Sequence, residues 1–326
     1  MSDIPSIESN LPSTPGLRLR AGAKQVLSDL SWCGPNCQIP RLGLDQAFQY
    51  CQQLAKSHYE NFSVTNLWLP PQIRPHFASI YAYCRWSDDL ADETGSSGIS
   101  SELLQWWKSQ LHLSFQGKSL HPVFVALQHT VQSYNLSIEP FEDLLSAFLQ
   151  DQTVTSYQDD QQLLDYCRRS ANPVGRLILG LSNASDPKSI AWSDAICTGL
   201  QIANFCQDVR LDAQRGRFYL PQSRMDQSCI TTDDWAKGTG NAPNALSDWI
   251  RFANEHFDRG QPLCQHGPKW LRRSVLLFSN GGRQILKNIA IKQFDVWNYA
   301  IEVTKFQKAR LVLLALSGIT KQGLLS

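Results

Sequence analysis

The stretch FASIYAYCRWSDDLADE, residues 77–93, decides how this chain is read. Phe77, Ile80, Tyr81, Cys84 and Asp88 recur every three or four positions, so one helix would carry them as a stripe, with Asp92 a turn further. The expected arrangement is a core-facing stripe that ends in acids. Asp88 and Asp92 would stand ~5–6 Å apart at Cβ, and Asp89 and Glu93 crowd the same turns. Such a cluster repels itself unless a cation sits among it. Taken alone, a D-x-x-x-D spacing also describes a solvated helix end.

A second stretch, QIANFCQDVRLD at residues 201–212, strengthens the first. Gln201, Asn204, Asp208 and Asp212 share one helical face, with Cys197 a turn earlier and Leu200 and Ala203 at its borders. Polar groups flanked by apolar ones belong in a cavity, because in a dry core they would need partners. The expectation is that Asp88 and Asp208 face each other across a bundle. Hard carboxylate oxygens suit Mg²⁺, which binds through one or two of them plus water and phosphate oxygens. Arg85 precedes the first acids by a turn, and Arg215-Gly216-Arg217 follows the second cluster. Guanidinium groups complement phosphate, so the implied ligand is a diphosphate.

Around these stretches the chain reads as all-α. Apolar residues keep helical spacing, as at Leu103, Leu104, Trp107 and Leu111, and no segment alternates strictly over several turns. Breaks at Pro70-Pro71, 94–101, 182–188, 221–244 and 261–268 suggest eight to ten helices. Residues 1–40, with five prolines, are expected to be a flexible leader, and 41–326 a single domain. The polar run 222–245 is expected to be a long loop. The apolar run 311–316 is too short to span a bilayer and is read as a core helix in preference to a surface-dipping one.

Composition limits the function. The chain has 326 residues, with 30 Lys and Arg against 29 Asp and Glu, so a nucleic-acid coat is excluded and basic sites must be local. Only 18% of residues are charged, and 10 Trp and 14 Phe suggest a greasy cavity and an apolar ligand. Nine scattered cysteines form no C-x-x-C, which points to a reducing cytoplasm. The first ten residues carry acids where a signal peptide needs bases.

With these residues in view, the chain resembles the squalene/phytoene synthase family, class I isoprenoid synthases acting head to head. Tyr81-x-x-x-Arg85-x-x-Asp88-Asp89-x-x-Asp92 is similar to the family's first signature. Gln201-x-x-Asn204-x-x-x-Asp208-x-x-x-Asp212, followed by Arg217-x-Tyr219, is similar to its second. Tyr166 to Gly175 resembles the central cavity helix, and His58 with Phe62 the substrate entry. The stretches 58–62 and 165–175 look most like the bacterial hydroxysqualene synthase branch of hopanoid and squalene biosynthesis. Residues 294–299 depart from the family, showing Phe294 and no bases where relatives carry Tyr and then basic residues.

The resemblance implies an isoprenoid synthase helical bundle around a central cavity. It implies two or three Mg²⁺ ions held by Asp88, Asp92, Asn204, Asp208 and Asp212, with Asp89 in support. Arg85, Arg217 and Tyr219 would bind diphosphate oxygens, with Gln201 on the same face. Phe62, Tyr81, Tyr166, Ala171, Val174 and Gly175 would line the prenyl cavity, Tyr81 and Tyr166 steadying a passing cation. The implied reaction is presqualene diphosphate plus water to hydroxysqualene and diphosphate, without NADPH. Asn61 or Asn172 would hold the quenching water. Sister reactions are synthesis of presqualene diphosphate, squalene, dehydrosqualene or phytoene. A non-catalytic assembly factor is disfavoured, because such relatives lose acids from one cluster and both are complete here. Partners would be a prenyl diphosphate, neighbouring pathway enzymes and, peripherally, the inner face of the cytoplasmic membrane, with no nucleic acid.

Overall fold

A computed structural model describes residues 23–58 and 68–317. The described residues are helical, and their one β feature is an isolated bridge between Ser156 and Phe218. The all-α expectation holds. Fourteen α-helices and a 3₁₀ turn are described, more than the eight to ten expected, because short helices occupy stretches that read as loops. The described residues group into two compact units: 23–58 with 71–138 and 148–153, and 68–70 with 139–147 and 154–317.

The first unit contains α1 (Ala23–Cys33), α2 (Leu44–His58), α3 (Arg74–Asp92), α4 (Ser97–Phe115) and α5 (Pro122–Tyr134). Pro75 opens α3 in its first turn, where a missing N–H costs nothing. The buried face of α3 carries Ala78, Ala82, Tyr83, Trp86 and Leu90, one position away from the acid stripe. Trp86 stacks on Trp107 of α4 at 5.0 Å, and Trp107 meets Phe124 of α5 at 4.3 Å. His121 caps α5, its Nδ1 accepting from the Val123 N–H at 3.3 Å. Its Nε2 has no hydrogen-bond partner, but the ring stands edge-on to Trp86 and Trp107 at 4.7 and 4.9 Å.

The leader expectation is corrected here. Residues 23–33 form a helix with Val26, Leu30 and Cys33 buried, packed on α3. Asp29 accepts from Trp32 Nε1 at 3.1 Å and from the Tyr50 hydroxyl at 2.6 Å, and that hydroxyl accepts from Trp86 Nε1 at 3.1 Å. The prolines misled because they flank the helix rather than interrupt it.

The second unit holds most of α6 (Glu139–Gln150), then α7 (Asp160–Ser170), α8 (Asn172–Leu181) and α9 (Pro187–Gln214). It continues with α10 (Gln222–Gln227), α11 (Thr232–Lys237), α12 (Ala242–Gly260), the 3₁₀ turn Gln261–Gln265, α13 (Lys269–Ile291) and α14 (Lys305–Ser317). The 28-residue α9 is its centre, capped by Asp186, whose carboxylate accepts from the Lys188 and Ser189 N–H groups. α7, α8, α12 and α13 pack on it. Phe257 of α12 fits there because Gly199 and Gly282 lack side chains; a Cβ on either would stand 3.2 or 2.6 Å from its ring.

Residues 222–245 are not a long loop. A capping box between Thr231 and Asp234 starts α11, and buried Trp235 anchors it. Trp297 Nε1 donates to the Trp235 carbonyl at 2.6 Å. The divergent segment 294–299 thus supplies a core anchor, and its Phe294 sits in a turn at φ 61°. In α14 only Leu311 and Ala315 are buried, so the core-helix reading applies to one edge alone. No described helix is long and apolar enough to cross a membrane, and all nine cysteines are free thiols.

Candidate active site

On α3 the acid stripe is not core-facing as a whole. Ile80 is buried, but Phe77, Tyr81, Cys84, Arg85, Asp88 and Asp92 are half-buried. Trp86, Tyr83, Leu90 and small residues take the core face, leaving the mixed stripe accessible. Arg85 organises the acids. Its Nε donates to Asp89 Oδ2 at 3.0 Å, its Nη2 pairs with Asp89 Oδ1, and its Nη1 stands 3.5 Å from Asp88 Oδ2. Asp89 is buried, and desolvation pushes its carboxyl up to about 6 although the guanidinium opposes the shift. Asp89 therefore serves Arg85, holding the guanidinium beside Asp88. Burial pushes the Tyr81 hydroxyl up to about 12, so it stays protonated at neutral pH and can donate.

On α9 the polar stripe is accessible throughout: Gln201, Asp208 and Asp212 are half-buried and Asn204 is exposed. Ile202, Phe205, Cys206 and Val209 take the buried face. The helix ends at Gly216, whose φ of 72° turns the chain so that the Arg217 N–H donates to the Asp212 carbonyl at 2.9 Å. Arg217 is half-buried there.

Tyr166 and Tyr219 come together in an aromatic cluster of the second unit. Tyr219 lies flat on Phe205 at 3.9 Å, and Tyr166 and Tyr157 stand 6.0 and 5.9 Å from Tyr219. Both Tyr166 and Tyr219 are buried. Ala171, which caps α8, and Gly175 within it are half-buried, and Val174 is exposed. A Cβ at Gly175 would meet Ser193 Oγ at 2.3 Å and Cys197 Sγ at 2.6 Å, so glycine lets α8 cross α9 closely. The stretch 166–175 is two helices, not one: α7 ends at Ser170 and Pro173 sits in the first turn of α8, where its missing N–H costs nothing. Asn172 is buried and its amide oxygen accepts from the Thr198 hydroxyl at 3.0 Å, an α8–α9 clasp that occupies that oxygen. Phe62, Asn61 and the side chain of His58 lie outside the described residues.

Two ion pairs escaped the sequence reading. Arg176 grips Asp194 at 3.0 and 2.7 Å, fastening α8 to α9, and Arg224 grips Asp160 at 2.5 and 2.7 Å. Partners 18 and 64 positions apart leave no periodic signal. Arg169 is largely buried and donates to the Asp165 carboxylate and the Ser146 hydroxyl.

Among the described residues no three His, Cys, Asp or Glu side chains gather as a preformed cation site. The donor chemistry still suits Mg²⁺, which rarely uses an all-protein cage and takes most of its ligands from water and phosphate. Asp88, Asp92, Asp208 and Asp212 offer such hard oxygens on accessible faces.

The sequence profile described as squalene/phytoene synthase matches residues 55–313. Among solved structures the chain is similar to squalene synthase HpnC from Alicyclobacillus acidocaldarius: 39% identity, 77% of this chain and 95% of that one, TM-score 0.73. A dehydrosqualene synthase crystallised with a ligand shares the fold, with TM-score 0.75 at 21% identity over 84% of this chain and 96% of that one. Among curated proteins, the chloroplastic phytoene synthase 1 of Zea mays is 28% identical over 282 residues, 83% of this chain and 68% of its own length. With both signatures on accessible helix faces and the profile spanning both units, this chain belongs to the squalene/phytoene synthase family.

Proposed function

We propose that the protein ionises presqualene diphosphate and quenches the cation with water, giving hydroxysqualene and diphosphate. The observation that carries this reading is the completeness of both acid clusters on accessible helix faces, with a guanidinium already held beside the first. Identity of 39% to a squalene synthase HpnC supports a place on the squalene-forming side of the family. Asp88, Asp92, Asn204, Asp208 and Asp212 would hold Mg²⁺, which when bound neutralises charge on a departing diphosphate. Arg85 and Arg217 bind the diphosphate oxygens, Arg85 kept in place by Asp89. The Tyr81 hydroxyl donates a further hydrogen bond. The Tyr81 ring faces the developing cation. Once the C–O bond breaks, one water adds to the cation and releases its proton. A peripheral contact with the inner face of the cytoplasmic membrane belongs to the same reading.

The test is incubation of purified protein with presqualene diphosphate and Mg²⁺ in ¹⁸O-water, without nicotinamide, followed by mass analysis of an organic extract. A labelled hydroxysqualene is expected; squalene formed only with NADPH, and no labelled alcohol, would overturn the water quench. The similarity to phytoene synthases favours a second reading, head-to-head condensation of two prenyl diphosphates. Product from farnesyl or geranylgeranyl diphosphate, and none from presqualene diphosphate, would establish it.

A further inference from the structure

The end of α3 that carries the acids is its carbonyl end. Asp88, Asp89, Asp92 and the C-cap Glu93 bring four carboxyl groups to a place where the helix dipole favours cations, and the last turn contains no basic residue. The C-cap bond, from the Glu93 N–H to the Asp89 carbonyl at 3.0 Å, closes the helix, so the carbonyls after Asp89 lie past the intrahelical ladder. One of them, on Ala91 immediately before Asp92, is taken up by two side chains. Ser100 Oγ of α4 donates to it at 3.0 Å, and Gln152 Nε2 donates to it at 3.2 Å from 61 positions away. Those donors fill both lone pairs of the oxygen. Each donor is held in turn. With its proton committed to Ala91, the Ser100 hydroxyl accepts from Thr94 Oγ1 at 2.5 Å, and both residues are buried. Gln152 uses its amide nitrogen a second time, on the Phe148 carbonyl at 3.2 Å, which sets the direction of the side chain. All of these residues belong to the first unit.

We infer that Gln152 is a positioning residue for the first acid cluster: by holding the Ala91 carbonyl it keeps the last turn of α3 wound, and so keeps Asp92 on one face with Asp88 before a cation arrives. The inference deepens the reading that Asp88 and Asp92 hold Mg²⁺, and rests on it. Crowded carboxylates at a helix C-terminus favour unwinding and a bound cation opposes it, so the side-chain clasp and the cation stabilise the same wound state. When that state is only partly populated, apparent affinity for the cation falls by the populated fraction. Ser100 is buried, so replacing it disturbs the core as well. Gln152 is half-buried, and its contribution can be read separately.

The test uses the full chain with Gln152→Met, which keeps the length of the side chain and removes the donor. Half-saturating Mg²⁺ should rise about two- to fivefold, read from diphosphate release and, without substrate, from the Mg²⁺-induced rise in melting temperature. Turnover at saturating Mg²⁺ should stay within about twofold of wild type. In the metal-free protein, amide exchange at Asp92 and Glu93 should quicken about fivefold and return to the wild-type rate when Mg²⁺ is added. Gln152→Lys, which restores a donor of similar reach, should bring metal-free exchange back toward wild type. No response of the wild type to Mg²⁺ in either measurement would overturn the metal reading and this inference with it. A wild-type response, with half-saturation and exchange unchanged in Gln152→Met, would overturn the role of Gln152 alone. Loss of melting temperature and turnover together, with half-saturating Mg²⁺ unmoved, would make Gln152 a general support of the fold and overturn the inference equally.

Discussion

Asp89 and Asp88 are neighbours in sequence with opposite assignments. Asp89 points to the buried side of α3 and spends both oxygens on Arg85, whereas Asp88 stays half-buried on the accessible stripe, 3.5 Å from the same guanidinium. The direct consequence is that changing them should fail differently. Asp89→Asn keeps one oxygen acceptor but releases Arg85 from its charge pair; we expect KM for the prenyl diphosphate to rise about tenfold, one charge-assisted hydrogen bond's worth. Steady-state diphosphate release checks it, and an unchanged KM would remove Asp89 from any positioning role. Asp88→Asn and Asp208→Asn should each abolish most turnover. Melting temperature should change by no more than about 3 °C, since each replaces a half-buried carboxylate in an acid-rich turn. Mg²⁺-dependent diphosphate release and thermal unfolding, measured on the same samples, separate loss of chemistry from loss of fold.

At the scale of elements, two close arrangements carry expectations. The crossing of α8 over α9 depends on Gly175, where a methyl group would press on Ser193 Oγ and Cys197 Sγ. Gly175→Ala should cost about 1–3 kcal/mol through overpacking, and Ser193→Gly in the same chain should recover part of it. Urea unfolding of the single and double variants measures that coupling, and strictly additive effects would count against the contact. The helix α1 carries its own expectation. Removing residues 1–33 strips Val26, Leu30 and Cys33 from the first core and leaves the Tyr50–Trp86 pair without Asp29. A loss of about 3–5 kcal/mol is expected from the apolar area alone. Unchanged stability on truncation would restore the flexible-leader description.

For the whole molecule, the response to pH follows from groups buried in each unit. His121 in the first is held down to about 3 by desolvation, and His256 in the second to about 4 by desolvation, with Arg259 and Arg224 adding to the shift. Neutral imidazoles folded at these values bind protons only after unfolding, from about pH 6.5 downward. Their stabilising contribution is complete above about 6.5 and is lost as pH falls toward 4 and 3. Asp89 acts in the opposite sense: raised to about 6, it contributes below its unfolded value and loses that contribution as pH climbs through 6. Two large depressions outweigh one smaller rise, so melting temperature should fall on acidification from pH 7 to 5. His121→Leu should flatten that slope while costing about 1 kcal/mol for the lost α5 cap. A slope identical to wild type would exclude His121 as its source.

By itself the sequence determined the helical class, both acid-bearing helices and the family, because these depend on spacings within a few turns of one helix. The periodicity also placed Asp88 with Asp92, and Asn204 with Asp208 and Asp212, on shared faces, but it could not tell which neighbouring stripe would be buried. Tertiary packing decided that. The rings of Trp86, Trp107 and Phe124 claim one face of α3, and the acid stripe is accessible because the core is already full. Packing also turned Asp89 inward to Arg85, ordered residues 23–33 and 222–237 into helices, and joined Arg176 to Asp194 and Arg224 to Asp160. Such pairings join residues far apart in the chain, and their free energy exists only once the helices that carry them are side by side.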